Sequence, residues 1–130
     1  MPLTFHPDPG AIIMCDFTTG FRPPEMVKLR PVVVVSPRRR RTQLATVVPL
    51  SSTQPAPVEP WHFQIPPGAY PPARGPMWAK CDVLATVALD RLDRVKVRDA
   101  AGRRTYQVFQ LDAAALRAVR EGVKAALGLP

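Results

Sequence analysis

Cysteine and histidine are scarce in this 130-residue chain, with two of each. Cys15 and Cys81 lie far apart in apolar stretches and lack CxxC spacing. That argues against a disulfide framework and against a thiolate metal site, and leaves buried free thiols of a reducing compartment as the expectation. His6 and His62 stand alone, so each reads as structural, and neither a metal nor any other cofactor is expected. No apolar run approaches the ~20 residues that span a bilayer. Met1–His6 carries no basic region followed by an apolar one. No membrane association and a cytoplasmic location are therefore expected. There is no Walker loop, no GxGxxG and no internal repeat, which removes the common nucleotide sites and the solenoid folds. Acidic charge is also short: ten Asp and Glu against eighteen Lys and Arg, a net charge of +8. A small basic domain favours a polyanion partner, whether nucleic acid, an acidic protein or an anionic membrane surface, and charge alone does not choose among them.

Proline, by contrast, is abundant. Seventeen prolines in clusters argue against a mostly helical chain, and the length suits one domain with one modest core. The organising stretch is Lys28–Pro37, in which four consecutive valines read as a strand buried on both faces. Pro31 cannot donate to a ladder and is expected at the first residue of that strand. Arg30 then stands at its mouth with a rigid backbone and a guanidinium that can reach solvent, suited to a phosphate or simply a flanking surface arginine.

The other elements follow from local signals. Ala11–Phe17 reads as a first strand, Thr18–Leu29 as a long loop carrying Arg22, Glu25 and Lys28, and Leu44–Leu50 as a strand paired with the central one. Between the last two lie Arg38, Arg39, Arg40 and Arg41, a solvated loop or a dense phosphate-attracting patch. Gln54–Pro76 reads as a proline-rich surface excursion with mobile ends, interrupted by an edge strand over Trp61–Ile65. Met77–Leu89 is expected to be a single strand, which would project Lys80 and Asp82 from one face. Asp93–Arg98 and Thr105–Gln110 are expected to pair around a turn at Asp99–Gly102. A helix over Asp112–Leu127, capped by Asp112 and stopped by Gly128, should bury Leu116, Val119, Val123 and Leu127 and expose Arg117, Arg120 and Lys124.

Taken in order, RPVVVVS, VVPLSST, the K-C-D triplet and the closing helix resemble the PemK/MazF toxin family over roughly Pro9–Leu89 and the helix. The resemblance implies a mainly β fold: a small, twisted SH3-like barrel of the CcdB/Kid/MazF kind with a C-terminal α-helix, in one domain over residues 1–130. It implies a metal-independent endoribonuclease that cleaves single-stranded RNA (mRNA), a homodimer, and an antitoxin partner. It places Arg30 at the family's catalytic arginine and Ser51 at a threonine that contacts the scissile phosphate. Lys80-Cys81-Asp82 is similar to an R-C-D triplet of the Kid-type branch, with lysine here for arginine. Glu25 falls where members carry a glutamate near the site. Lys28, Arg38–Arg41, Ser52 and Trp61 are candidate substrate-binding residues, Trp61 on a specificity loop.

These residue types suit that chemistry. Without a metal, the ribose 2′-hydroxyl attacks its own phosphorus. The site must then take one proton, deliver one to the leaving 5′-oxygen, and stabilise charge on the phosphoryl oxygens. Asp82 is the candidate base, Lys80 the candidate donor, Arg30 the bidentate charge stabiliser and Ser51 a hydrogen-bond donor. The products would carry 2′,3′-cyclic phosphate and 5′-hydroxyl ends. Lys80 and Asp82 could equally form a structural ion pair. Phe21, Trp61 and Trp78 are the candidates for stacking on RNA bases. Two rival readings remain: a non-catalytic toxin-like protein that binds a protein target, as gyrase poisons do, and a basic SH3-like nucleic-acid-binding module.

Overall fold

Val32, Val33 and Val34 form the buried end of the central strand in a computed structural model of the chain, which describes residues 2–39 and 42–130. The strands are β1 (Ala11–Asp16), β2 (Leu29–Val34), β3 (Leu44–Ser51), β4 (His62–Gln64), β5 (Trp78–Lys80), β6 (Ala85–Ala88), β7 (Leu92–Asp93), β8 (Val95–Arg98), β9 (Arg104–Gln107) and β10 (Phe109–Gln110), and they are followed by the helix α1 (Ala113–Leu127). The antiparallel order is β10-β1-β2-β3-β5-β4, with β6 added to β3 and β7 to β1, while β8 and β9 pair only with each other. The fold is thus mainly β with one C-terminal helix, as expected. Its twisted SH3-like sheet is an open path, with no ladder joining β10 to β4 among the described residues.

The sheet buries both faces, which is why its central strand is an unbroken valine run. Ile13, Cys15, Val32, Val34, Ala45 and Val47 pack on one side with Val87, Leu89 and Leu92. Ile12, Val33, Val48 and Leu50 pack on the other, beneath Ala115 and Val119 of α1. Prolines sit where a missing donor costs nothing. Pro31 is the third residue of β2, not the first. The Val35 N–H reaches Thr46 O on β3, so by alternation the nitrogen of Pro31 also faces β3, outside a ladder that starts at Val32. Pro49 faces the opposite edge of β3, in the gap where the partner changes from β6 at Val47 to β5 at Leu50.

That change of partner corrects the single strand expected over Met77–Leu89. After Lys80 the chain makes a 3-10 turn, Cys81–Val83, then resumes as β6 on the other end of β3. The turn forms because Cys81 is pulled under α1: its N–H donates to Trp61 O (3.0 Å) and its Sγ–H to Val119 O (3.4 Å). Lys80 and Asp82 therefore do not alternate on one strand. The next expected pair is split as well. Leu92–Asp93 and Phe109–Gln110 pair with β1, while Val95–Arg98 and Arg104–Gln107 form a hairpin free of the main sheet. Its turn is the expected Asp99–Gly102, closed by Asp99 Oδ1 accepting from the N–H groups of Ala101 and Arg103 at 2.9 Å each.

The helix begins and ends as read. Asp112 accepts from Ala115 N–H (2.7 Å), and Gly128 closes it in the left-handed region at φ +69°. Its apolar stripe packs on the core as read at Leu116, Val119 and Val123, joined by the buried Ala115 and Gly122, while Leu127 is 56% exposed. Arg120 is exposed as expected, and it donates through Nε (3.3 Å) and Nη2 (3.0 Å) to Val35 O, tying the helix to the end of β2. The proline-rich excursion is folded back at its second half. Ile65 and Met77 are buried, and Tyr70 packs edge-on against Phe109 at 5.9 Å.

Both cysteines are free and fully buried. Burial pushes each thiol from 9.0 up to about 12; Arg91 pulls Cys15 down and Asp16 pushes it up, while Asp82 adds to the rise of Cys81. The unfolded chain releases these protons first as pH rises, so folding stability will fall from about pH 9 towards about pH 12. Melting temperatures across that range should drop less steeply in Cys15→Ala than in the parent chain; equal slopes would show that the Cys15 thiol does not contribute.

Candidate active site

The polar residues of interest gather on the sheet face opposite α1. On β2, Arg30 shares its parity with Val32 and Val34, and it pairs with Cys15 of β1. The β2–β3 ladder runs Val34↔Val47, Val33↔Val48, Val32↔Pro49. Arg30 and Ser51 each lie two residues beyond the last pair of this ladder, with the parity of Val32 and Val47, so both belong to the same face of the sheet. Ser51 pairs with Trp78 of β5, and Trp78 with Gln64 of β4. One row further along, His62 pairs with Lys80. Sheet register thus brings Arg30, Ser51, Trp78, Lys80 and His62 to one face from four strands.

Two of these residues have uncommitted donors. Arg30 Nε is buried and has no hydrogen-bond partner, and the side chain makes no ion pair among the described residues. A buried N–H without an acceptor costs ~1–3 kcal/mol, so its persistence marks either strain or a ligand that supplies the acceptor. Ser51 is only 5% exposed, and its Oγ accepts from Thr53 N–H (3.1 Å). That bond fixes the side chain and leaves the hydroxyl proton free to donate.

Asp82 and Lys80 flank His62 and do not pair with one another. His62 Nε2 lies 4.0 Å from Asp82 Oδ1, with the imidazole 10% and the carboxylate 47% exposed. His62 Nδ1 accepts from Glu59 N–H (3.0 Å), which fixes the ring with its Nε2 edge on the side of Asp82. Sequence reading missed His62, which it took as a lone structural histidine. The signal was present in its neighbour: an edge strand starting at His62 pairs with the strand that ends at Lys80.

Glu25 and Asp82 line one cleft of about 260 Å³ with Phe17, Phe21 and Met26. Glu25 is held by Arg22, whose N–H donates to Oε1 (2.8 Å). The loop that carries them is fastened by Arg91, which donates to Asp16 O (3.0 Å) and Thr19 O (2.8 Å) and lies 4.9 Å over the Phe21 ring. Asp16 is tied to the start of the same loop. The hydroxyl and N–H of Thr18 both donate to its Oδ1 and hold the carboxyl below its ordinary range.

Several expected contributors lie elsewhere. Arg38 and Arg39 follow the far end of β2, more than a strand's length from Arg30, and Arg38 is paired with Asp8 at 3.4 Å. Arg40 and Arg41 lie outside the described residues. Trp61 is half-buried against the helix-side core, so Trp78, on the site face, is the better placed aromatic. Lys28 and Ser52 are exposed at the ends of β2 and β3, next to Arg30 and Ser51. Among the described residues, no three His, Cys, Asp or Glu side chains are grouped to hold a metal ion.

The sequence matches the family model of the PemK-like, MazF-like toxins of type II toxin-antitoxin systems over residues 8–127. No curated protein matches it in sequence. Among solved structures, an endoribonuclease from a mycobacterial species, in complex with its cognate antitoxin, has a TM-score of 0.65 at 23% identity, covering 96% of this chain and 98% of that one. MazF from Deinococcus radiodurans has a TM-score of 0.68 at 22% identity, covering 96% and 99%. The Mycobacterium tuberculosis toxin MazF-mt6 has a TM-score of 0.59 at 19% identity, covering 92% and 97%. At these identities the likeness establishes the fold.

Proposed function

The chain belongs to the PemK-like, MazF-like toxin family of type II toxin-antitoxin systems, and on that premise we propose that it is an endoribonuclease cleaving single-stranded RNA by attack of the ribose 2′-hydroxyl. The observation that carries this reading is Arg30, whose buried Nε lacks an acceptor, on the same sheet face as Ser51 with its free hydroxyl proton. A phosphoryl group supplies the missing acceptor. Its oxygens take two N–H groups of the guanidinium fork and the Ser51 hydroxyl, and these contacts tighten as charge builds in the transition state.

Asp82 takes the 2′ proton, and Lys80 delivers one to the 5′-oxygen. His62, held by the Glu59 N–H, keeps its Nε2 edge towards Asp82 and orients the carboxylate from the side. The carboxylate of Asp82 weighs against a pure nucleic-acid binder, because it repels phosphate, whereas a proton acceptor is what the cleavage reaction needs. A homodimer and an antitoxin partner belong to the same proposal. The first is read by light scattering, where a monomer mass at micromolar concentration would oppose it.

The test is incubation of the purified protein with mixed single-stranded RNA in EDTA. Discrete products with 2′,3′-cyclic phosphate and 5′-hydroxyl ends are expected, and a 2′-deoxy residue at the cut should block the reaction. Cleavage lost in EDTA, or retained on the deoxy strand, would replace this scheme with a metal-activated water.

A further inference from the structure

The hairpin β8–β9 has two unlike faces. In its register Lys96 pairs with Tyr106 and Arg98 with Arg104, while Val95 pairs with Gln107 and Val97 with Thr105. Val95 is buried and Val97 and Thr105 are half-buried, so this set faces the body of the protein. Lys96, Arg98, Arg104 and Tyr106 form the outer face and are all exposed, Tyr106 by 54%. That face holds three cations, one aromatic ring and no carboxylate. The nearest acid at the turn, Asp99, spends Oδ1 on the N–H groups of Ala101 and Arg103. Arg98 donates through Nη1 to Gly102 O (3.2 Å), which steadies its guanidinium and leaves its other N–H groups outward.

The hairpin pairs with no other strand of the sheet among the described residues. At its root a cleft of about 400 Å³ is lined by Lys96 and Tyr106 together with Met14, Leu29, Tyr70 and Asp93. Leu29 and Met14 have the opposite parity to Arg30 and Cys15, so this cleft lies at the same end of β2 as the proposed catalytic arginine but on the other face of the sheet.

We propose that the outer face of the β8–β9 hairpin is a second binding surface, which takes the single-stranded RNA flanking the cleaved bond. Lys96, Arg98 and Arg104 contact phosphates and Tyr106 stacks on a base. This rests on the ribonuclease reading of the Arg30 site. Cations alone would suit a duplex or an acidic protein equally. The exposed ring set among them selects a strand whose bases are unpaired, because only there is a base face open for stacking.

The test compares a long labelled single-stranded RNA with a short one that just spans the cut, using the parent chain and the variant Lys96→Gln/Arg98→Gln/Arg104→Gln. Binding is read in an Arg30→Ala background so that the RNA stays whole. Three lost phosphate contacts should reduce the slope of log affinity against log salt by about 2 for the long strand. Tyr106→Ala should weaken long-strand binding by about 5-fold or more. Turnover of the short strand by either hairpin variant, with Arg30 intact, should be unchanged. Equal affinity and equal salt slope on the long strand would overturn the inference and leave the ribonuclease reading in place. Hairpin-dependent RNA binding by a chain that never cuts RNA would support the surface and sink the ribonuclease reading. A change of molecular mass in the triple variant would make the hairpin a contact between copies of this chain, and would overturn the inference.

Discussion

Arg30→Ala will lower turnover on single-stranded RNA by ~100-fold or more without loss of thermal stability. The two halves of that expectation come from the same atom. In the free protein the buried Nε of Arg30 has no acceptor, so its removal relieves a desolvation cost of ~1–3 kcal/mol. In the transition state the same group faces developing phosphoryl charge, where losing a positioned donor costs two to three orders of magnitude. Arg30→Lys separates charge from geometry. Lysine keeps a cation but has neither the planar fork nor an Nε–H at that depth, so most of the loss should remain. Single-turnover cleavage measured beside a melting curve decides the matter. Full turnover in Arg30→Ala would remove the arginine from the chemistry, and a collapse of stability would make it a structural residue. Asp82→Asn is the companion change, keeping shape while losing the proton acceptor; full activity there would leave Arg30 and Ser51 as the working pair.

The largest stability effect is expected at Gly122, on the far side of the sheet. A Cβ at that position would lie 2.6 Å from Cys81 Sγ and 3.4 Å from Cys81 Cβ, with Trp61 O at 3.6 Å behind them. In a solvent-exposed helix Gly→Ala gains ~1 kcal/mol. Here overpacking costs ~1–3 kcal/mol, because Cys81 is short, fully buried and pinned to Val119 O, and it has nowhere to turn. Gly122→Ala should therefore destabilise the chain, and the shift will be transmitted to the 3-10 turn that carries Asp82. In a Cys81→Ala background the sulfur is gone, and the same substitution should become neutral or stabilising. A double-mutant cycle by denaturant unfolding should give a coupling of ~1 kcal/mol or more. Additive effects would mean that the helix shifts freely and that the contact does not constrain it.

Sheet register explains how much of this site was legible beforehand. Arg30 and Ser51 could be read because each stands beside a strong local signal: the proline-flanked valine run of β2, and the end of the VVPL run of β3. Lys80 and Asp82 were expected side by side on one strand, and the structure instead sets each beside His62. Alternation along a strand requires the strand to continue, and Cys81 ends it by turning into the helix contact. His62 was passed over because a histidine 18 positions before Lys80 in the chain carries no local mark of the strand pairing that makes them adjacent. The place of Arg38 and Arg39 relative to Arg30 was not legible, because charge density is visible in a sequence whereas the run of β2 between them is not.

The resemblance implied the fold class; from local residue order came a chain that is not mostly helical, the capped C-terminal helix, the central strand buried on both faces, the edge strand near Trp61 and the hairpin turn at Asp99–Gly102. Each follows from interactions within a few positions: side-chain period, a capping carboxylate, a proline's missing donor, a glycine's positive φ. Tertiary packing settled the rest. It divided one expected strand into β5 and β6 by drawing Cys81 beneath Gly122. It freed β8–β9 from the main sheet, and it set His62 between Lys80 and Asp82. Those outcomes depend on contacts between distant segments, where burial of a sulfur or an exchange of strand partner outweighs the local preference of the residues involved.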